Sequence, residues 1–335
     1  MLSAFSYSTV KHALAIVCLT LGLGQAFAAE APLSSWNPGP SKTAIINYVK
    51  AVTRSDSPDY IPAADRIAVF DNDGTLWAEQ PMYSQLAFAI DRIHALAPQH
   101  PEWQQQQPFK AVLEGDLTTA LKGGEHALIE MVMASHAGMS SEAFTELVNQ
   151  WLATAIHPTT KRKYTDMVYQ PMLELLDYLR VNGFQIYIVS GGGIDFMRPW
   201  VEAVYGIPPQ QVIGSSLQVS YDYNDGKPQI IRQAKINFID DKATKPVAIH
   251  YHIGKRPVFA FGNSDGDWQM LQWTKGSPYL SFAGIVHHTD AVREWAYDRE
   301  SKTGRLNKAM DQARRDNWTL VDMKQEWRRI FPTVK

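Results

Sequence analysis

Cysteine is all but missing from this chain: Cys18 is the only one in 335 residues. A single thiol forms no internal disulfide and builds no cysteine-ligated zinc site. Charge of one sign is lacking too. Lys and Arg number 32 against 34 Asp and Glu, and the longest basic run is Lys161-Arg162-Lys163, so the sequence has no footprint for nucleic acid. That triplet reads as a solvent-facing cluster. No apolar run reaches the length of a comfortable bilayer span, and there is neither an internal repeat nor an extended low-complexity tract; Gln104 to Gln107 is a short polar loop.

The longest apolar stretch, Ala13 to Leu23, follows Lys11 and precedes Ala26-Phe27-Ala28, which offers small residues at the two positions a signal peptidase reads. Residues 1–28 are therefore expected to be a signal peptide cleaved after Ala28, with export across the inner membrane, to the periplasm, and no stable membrane anchor. A retained N-terminal anchor is the competing reading. Cys18 follows Val17, not a small residue, which argues against a lipoprotein. The mature chain would have no thiol, which rules out cysteine catalysis and suits an oxidising compartment.

What is present is a set of polar clusters at the ends of apolar runs. Ile67-Ala68-Val69-Phe70 reads as a buried strand and runs into Asp71-Asn72-Asp73-Gly74-Thr75. Alternation along a strand sends Asp71 and Asp73 to one side, while Gly74 lets the backbone turn away. Two acids aimed into one crevice want a cation. A calcium-loop reading fails, because the sixth and twelfth positions counted from Asp71 are Leu76 and Met82 where Gly and Glu are required. Further on, Phe184 to Val189 reads as a second strand delivering Ser190 and then Gly191-Gly192-Gly193, whose N–H groups stand open to an anion in front of a helix from Ile194 to Tyr205. Ser190 lacks the GxSxG elbow of a serine hydrolase. Pro257 to Phe261 is a third strand ending in Gly262-Asn263-Ser264-Asp265-Gly266-Asp267. Between the second and third lies Asp240-Asp241-Lys242-Ala243-Thr244-Lys245-Pro246, where Pro246 suits the first turn of a helix from Val247 to Ile253 and a lysine at its mouth can reach a phosphate.

With these four stations in this order, from about Arg66 to Leu271, the chain resembles the haloacid dehalogenase-like (HAD) superfamily, in its phosphoserine-phosphatase-like, secreted bacterial acid phosphatase branch. The resemblance implies an α/β fold: a Rossmann-like, doubly wound parallel sheet with a large, mainly helical cap inserted after the first motif. It also implies a phosphomonoester hydrolase that forms an aspartyl-phosphate on Asp71, with Asp73 as general acid and then base. Thr75, Ser190 and Gly191 would hold phosphate oxygens, joined by Lys245 or Lys242, of which Lys245 is preferred. Magnesium is the implied cofactor, held by Asp71, by Asp73 through its carbonyl, and by a fourth-motif residue: Asp267 first, then Asn263 or Asp265. Asn263 stands where the family pattern commonly has Asp, so a less anionic site should hold its ion more loosely. The substrate would be a small organic phosphate ester. A phosphotransferase or mutase on the same scaffold and a noncatalytic phosphate-ester binder are the alternatives. The sequence does not give the natural ester or the oligomeric state.

More than a hundred residues separate Asp73 from Ser190, far more than one crossover helix needs, which places an inserted domain at 77–168 and the core at 29–76 and 169–335. Helical spacing is expected over Met82 to Ala97, Glu125 to Ala134, Ser141 to Ala155 and Pro171 to Arg180, as well as Lys42 to Arg54 before the first strand. Trp77, Glu79 and Tyr83 lie close enough to the nucleophile to touch a leaving group, though packing at the hinge is the plainer reading. His250, His252, His287 and His288 lack a third metal ligand at a recognisable spacing. Asn224-Asp225-Gly226 reads as a hairpin turn, and Trp318 to Trp327 as a C-terminal helix.

Overall fold

The apolar runs that end in polar clusters become the middle of one sheet. In the computed structural model, which describes residues 32–333 other than 225, the strands are β1 (Ile67–Phe70), β2 (Gln185–Gly193), β3 (Val212–Asn224), β4 (Lys227–Phe238), β5 (Phe259–Gly262), β6 (Phe282–Thr289), β7 (Ala296–Tyr297) and β8 (Thr319–Asp322). Their order is β4-β3-β2-β1-β5-β6-β7, with β8 also against β6. Pairing is parallel from β3 through β6 and on to β8, and antiparallel only at β3–β4 and β6–β7. Every residue of β1 and β5 is buried, as expected of strands covered on both faces, and their sequences read as unbroken apolar runs. From β1 the chain winds to β2 and β3 on one side and then to β5 and β6 on the other. A reversal of that kind opens a crevice at the carboxyl ends of the central strands.

Helices cover the sheet. Ile194–Tyr205 forms as expected and buries Phe196, Met197, Trp200, Val201 and Tyr205, a stripe of i, i+3, i+4 spacing, before Gly206 ends it at φ +65°. Pro40–Thr53 and Gln170–Val181 lie within two residues of their expected limits. The insertion is helical, with Ser84–Leu96, Glu125–His136 and Ser141–Thr154 as its long members. Ser140 caps the last of these by accepting from the Ala143 N–H at 3.2 Å. Phe88, Phe144, Val148 and Leu152 of the insertion share one apolar cluster with Phe196 and Trp200, so its inner face is continuous with the core. A second cluster, including Leu86, Ile93, Trp103, Val112 and Met131, lies within the insertion.

The expected hairpin forms, and one expectation, the C-terminal helix, is corrected. The hairpin around 224–226 is far longer than its turn signal implied, and Arg232 in β4 exchanges backbone hydrogen bonds with Gly138 and Met139 (2.8 and 3.1 Å), tying the hairpin to the insertion. Residues Trp318 to Trp327 are not a helix. They form β8 and then a single turn, Met323–Glu326, because an open flank of β6 offers hydrogen bonds that override local helical preference. No helix among the described residues is long and apolar enough to cross a membrane. The expected leader and its cleavage point lie outside the described residues.

The C-terminal turn also completes a helix almost three hundred residues earlier. Gly39 supplies no side-chain cap to Pro40–Thr53; the Glu326 carboxylate does so instead, accepting from Ser41 N (2.9 Å) and Ser41 Oγ (2.7 Å) while also receiving Asp322 N (3.1 Å). Replacing this buried cap, Glu326→Ala, should cost about 1–2 kcal/mol. A fall in the thermal midpoint would register the loss, and an unchanged midpoint would contradict the capping role.

Candidate active site

The chain leaves β1 at Phe70 and turns at once. Thr75 and Leu76 donate N–H bonds to the Asn72 carbonyl (3.1 and 2.8 Å), and Gly74 N donates to Trp77 O (2.8 Å). The turn requires φ of +73° at Gly74, where a Cβ would also lie 2.0 Å from Asn263 Nδ2 and 2.4 Å from Glu79 Oε1. Asp71 and Asp73 thereby line one cavity of about 480 Å³, together with Ser190, Gly191, Lys245, Ser264 and Asp267. The turn is braced from behind. His288 on β6 donates Nε2–H to the Gly74 carbonyl at 2.8 Å, with its Nδ1 3.0 Å from Glu294, which also accepts from Tyr169.

Lys245 is the centre of the cluster. It lies inside the first turn of the helix Thr244–His252, not ahead of it as expected, and its side chain is 2% exposed. Its ammonium is 2.6 Å from both Asp71 Oδ1 and Asp267 Oδ1. The two carboxylates, with Asp240 behind them, raise the lysine's pKa despite burial, so it remains a cation. Lys242, the alternative, sits at the cavity rim at φ +54° with a side chain 65% exposed and 2.9 Å from Asp241.

The fourth-motif residues divide three tasks. Asp267 grips Lys245 with one oxygen and accepts the N–H groups of Asn263 (2.9 Å) and Ser264 (3.1 Å) with the other. Asn263 accepts from Thr75 Oγ1 at 3.2 Å and donates to Glu79 Oε1 at 2.6 Å. Asp265 faces away from the cluster: its Oδ1 accepts from the N–H groups of Asn307 and Ala309 (3.0 Å each) at the start of the helix Lys308–Arg315. A side chain spent on a helix start is not part of the cavity wall, so the expectation that Asp265 might hold a cation is corrected here on geometry.

Ser190 is buried at the cavity wall and its Oγ accepts Gly192 N at 3.1 Å. Gly193 N is taken by Gln85 Oε1 at 2.7 Å, and β2 runs through to Gly193. The N–H groups of Gly192 and Gly193 are therefore engaged within the chain, contrary to the open nest that the glycine run suggests.

Charge is concentrated here. Burial first, and then the Asp267 carboxylate, push the pKa of Asp71 well up, while Lys245 pulls the other way. Asp73 is pushed up to about 6 by burial, partly offset by the bond from Trp77 Nε1 to its Oδ1 (2.7 Å). Glu79 is pushed up by burial and by the charges of Asp73 and Asp71; Tyr297 and Asn263 donate to it. One ammonium thus faces several buried acids, an excess of negative charge that a further cation would relieve. Among the described residues no group of three or more His, Cys, Asp or Glu side chains is arranged to hold a metal ion. The carboxylates of Asp71 and Asp73 supply hard oxygens on the cavity wall that fit a small hard cation, while the Asn263 amide oxygen accepts from Thr75 and the Asp267 oxygens are taken by Lys245 and two N–H groups.

Three further buried polar residues belong to this region, His136 and Arg232 on the cavity wall and Asp240 beside Lys245. Asp240 is fully buried with neither carboxylate oxygen hydrogen-bonded, and burial pushes its pKa up to about 7. His136 is held neutral, its pKa pushed down to about 3 by burial and then by the charges of Arg232 and Arg92; its Nε2 lies 3.0 Å from Gln85. Arg232 comes from the hairpin that local patterning reads only as a turn. His136 stands tens of residues from any motif, and Arg232 and Asp240, though near Lys245 in sequence, carry no local spacing that marks them as buried. The other three expected histidines take no part: His250 and His252 are exposed on their helix, and His287 is half-buried 3.3 Å from Asp298.

Known proteins bear on this geometry. Residues 68–272 match the family model described as haloacid dehalogenase-like hydrolase. Among solved structures, a conserved protein of unknown function from Anaerococcus prevotii is similar with a TM-score of 0.52 at 17% identity, over 82% of this chain and 89% of that one. A protein of unknown function from Bordetella pertussis has a TM-score of 0.49 at 15% identity, over 77% and 98%. A phosphoserine phosphohydrolase-like protein from Francisella tularensis reaches 0.33 at 17% identity, over 66% and 87%. No curated protein sequence matches significantly. The family match spans more than half of the chain and contains β1, β2, Lys245 and the Asn263–Asp267 loop, and on that ground the chain belongs to the haloacid dehalogenase-like hydrolases.

Proposed function

We infer that this hydrolase is a magnesium-dependent phosphatase that cleaves a small organic phosphomonoester through an aspartyl-phosphate on Asp71. The observation that carries this reading is the buried Lys245 ammonium, 2.6 Å from both Asp71 and Asp267 on the wall of a cavity that also contains Asp73 and Ser190. A lysine so placed orients the Asp71 carboxylate and lowers the charge that an incoming phosphate dianion meets. Export to the periplasm remains part of the proposal, on the N-terminal pattern alone.

The steps follow from the side chains. Asp71 attacks phosphorus and the bond to the leaving alcohol breaks, leaving an acyl phosphate on Asp71. The alcohol oxygen takes a proton from Asp73. Trp77 holds Asp73 Oδ1, while Oδ2 faces Gly192 across the cavity wall, so the carboxyl presents one oxygen in a set direction. Asp73 then accepts a proton from the water that attacks the phosphorus, which releases inorganic phosphate and restores Asp71. Ser190 Oγ–H and Lys245 would stabilise the transferring group. A magnesium ion would be held by Asp71, the Asp73 carbonyl and a fourth-motif residue, Asp267 or Asn263, and when bound it would neutralise charge on the phosphoryl oxygens.

Asp71→Asn should lower p-nitrophenyl phosphate turnover by roughly a thousandfold or more; retained turnover would remove the nucleophile from the proposal. Chelation should abolish turnover and magnesium restore it, read in the same assay, and activity indifferent to chelator would exclude the metal. The pH dependence has a definite sign. Asp73 must be protonated for the first step and is protonated below its raised pKa of about 6, so kcat/KM should fall as pH rises through that value. A profile level from pH 5 to 8, or an alkaline limb that survives in Asp73→Asn, would contradict the general-acid role.

A further inference from the structure

The cavity continues well beyond the acids. Leu86, Val132, Phe196, Leu217 and Ile236 give it apolar walls, and Arg232 also lines it. Arg232 is 2% exposed, and its Nε and Nη1 have no hydrogen-bond partner. Its charged neighbour is Asp195, 3.5 Å from Nη1, and its guanidinium carbon lies 3.5 Å over the Phe144 ring. A buried guanidinium that keeps its charge ordinarily collects hydrogen-bonded acceptors, since each unmet donor carries a desolvation penalty. Here β4 fixes the backbone of Arg232 against Gly138 and Met139, so the residue is held in place without being satisfied.

Its place relative to the reacting groups can be traced contact by contact. A Cβ on Gly192 would lie 3.5 Å from Asp73 Oδ2 and 3.7 Å from Gln85. Gln85 reaches His136, which packs on Phe144 with ring centroids 4.7 Å apart, and Phe144 carries Arg232 on its face. Arg232 therefore stands several side chains away from Asp71, where it would meet the leaving alcohol and not the phosphoryl group. The other cations on the wall besides Lys245 are Lys242 and Lys302, both exposed.

We propose that Arg232 is a specificity-determining residue, and that the alcohol released by this enzyme carries a second anionic group, a carboxylate or a second phosphate, which Arg232 receives at the far end of the cavity. The proposal rests on the phosphatase reading for the other end of the substrate. An anion there supplies the acceptors the guanidinium lacks, and Asp195 is the group it would compete with. The apolar walls between the two ends suit a short hydrocarbon spacer.

Three alkyl phosphonates of equal chain length, ending in a carboxylate, a second phosphonate or a carboxamide, separate the possibilities by calorimetric titration, since none can be turned over. The wild-type protein should bind one or both anionic analogues at least tenfold more tightly than the carboxamide, and which one tells the source of the charge. Arg232→Met should abolish that preference while changing carboxamide affinity less than threefold, and Arg232→Lys should keep part of it. Asp195→Asn should tighten anionic analogues selectively. Equal affinity for all three analogues in the wild type, or a uniform loss in a folded Arg232→Met, would overturn the proposal. Should Arg232→Met not fold, Arg232→Lys and Asp195→Asn decide between the same outcomes. Failure of the phosphatase reading shows separately, as absent hydrolysis of p-nitrophenyl phosphate and of the matching esters while the binding preference persists.

Discussion

A single ammonium holds the site together. Lys245 reaches Asp71 from the loop after β1 and Asp267 from the loop after β5, at 2.6 Å each, and all three side chains are buried. Removing charges from water is costly, so an arrangement of this kind persists only where geometry is close and the remaining polar groups are met. Asp267 meets that condition through two loop N–H groups, whereas Asp71 does so less completely. Asp71 is thus held in place while its remaining valence faces the cavity, the combination a nucleophile needs.

Sheet topology explains why the three come together. β1 lies between β2 and β5, and the chain leaves it in opposite directions, so the loops following the central parallel strands open on one end without a connection crossing between them. The loop after β1 brings the acids, the end of β2 brings Ser190, and the helix Thr244–His252 after the hairpin brings Lys245. The braces come from strands farther out: His288 on β6 carries the Gly74 turn, and Tyr297 on β7 carries Glu79. Strands outside the motif-bearing ones therefore brace the loop after β1.

The roof is a composite. Helices inserted between β1 and β2 cover the crevice, but the long hairpin β3–β4 closes it and brings Arg232 and Ile236 to the wall. Substrate discrimination can then arise from two chain segments separated by about a hundred residues in sequence, bound to each other by the backbone bonds at Gly138, Met139 and Arg232. Movement of one would carry the other along.

The amino-acid order alone determined the central strands, the helix Ile194–Tyr205, the helical insertion and the residues Asp71, Asp73, Ser190, Lys245 and Asp267 as a candidate set, because strand ends, helix starts and turn glycines leave short-range marks in sequence. It could not choose Lys245 over Lys242 by contact, or assign separate tasks to Asn263, Asp265 and Asp267, since those choices depend on which way each side chain points once distant loops meet. The tail departs from the expected helix because β6 offers an open flank that takes Thr319–Asp322 as a strand. Glu326 on Ser41, Glu79 on Asn263 and Arg232 on the cavity wall were invisible for the same reason: partners far apart along the chain acquire a relationship only when packing brings them within hydrogen-bonding reach.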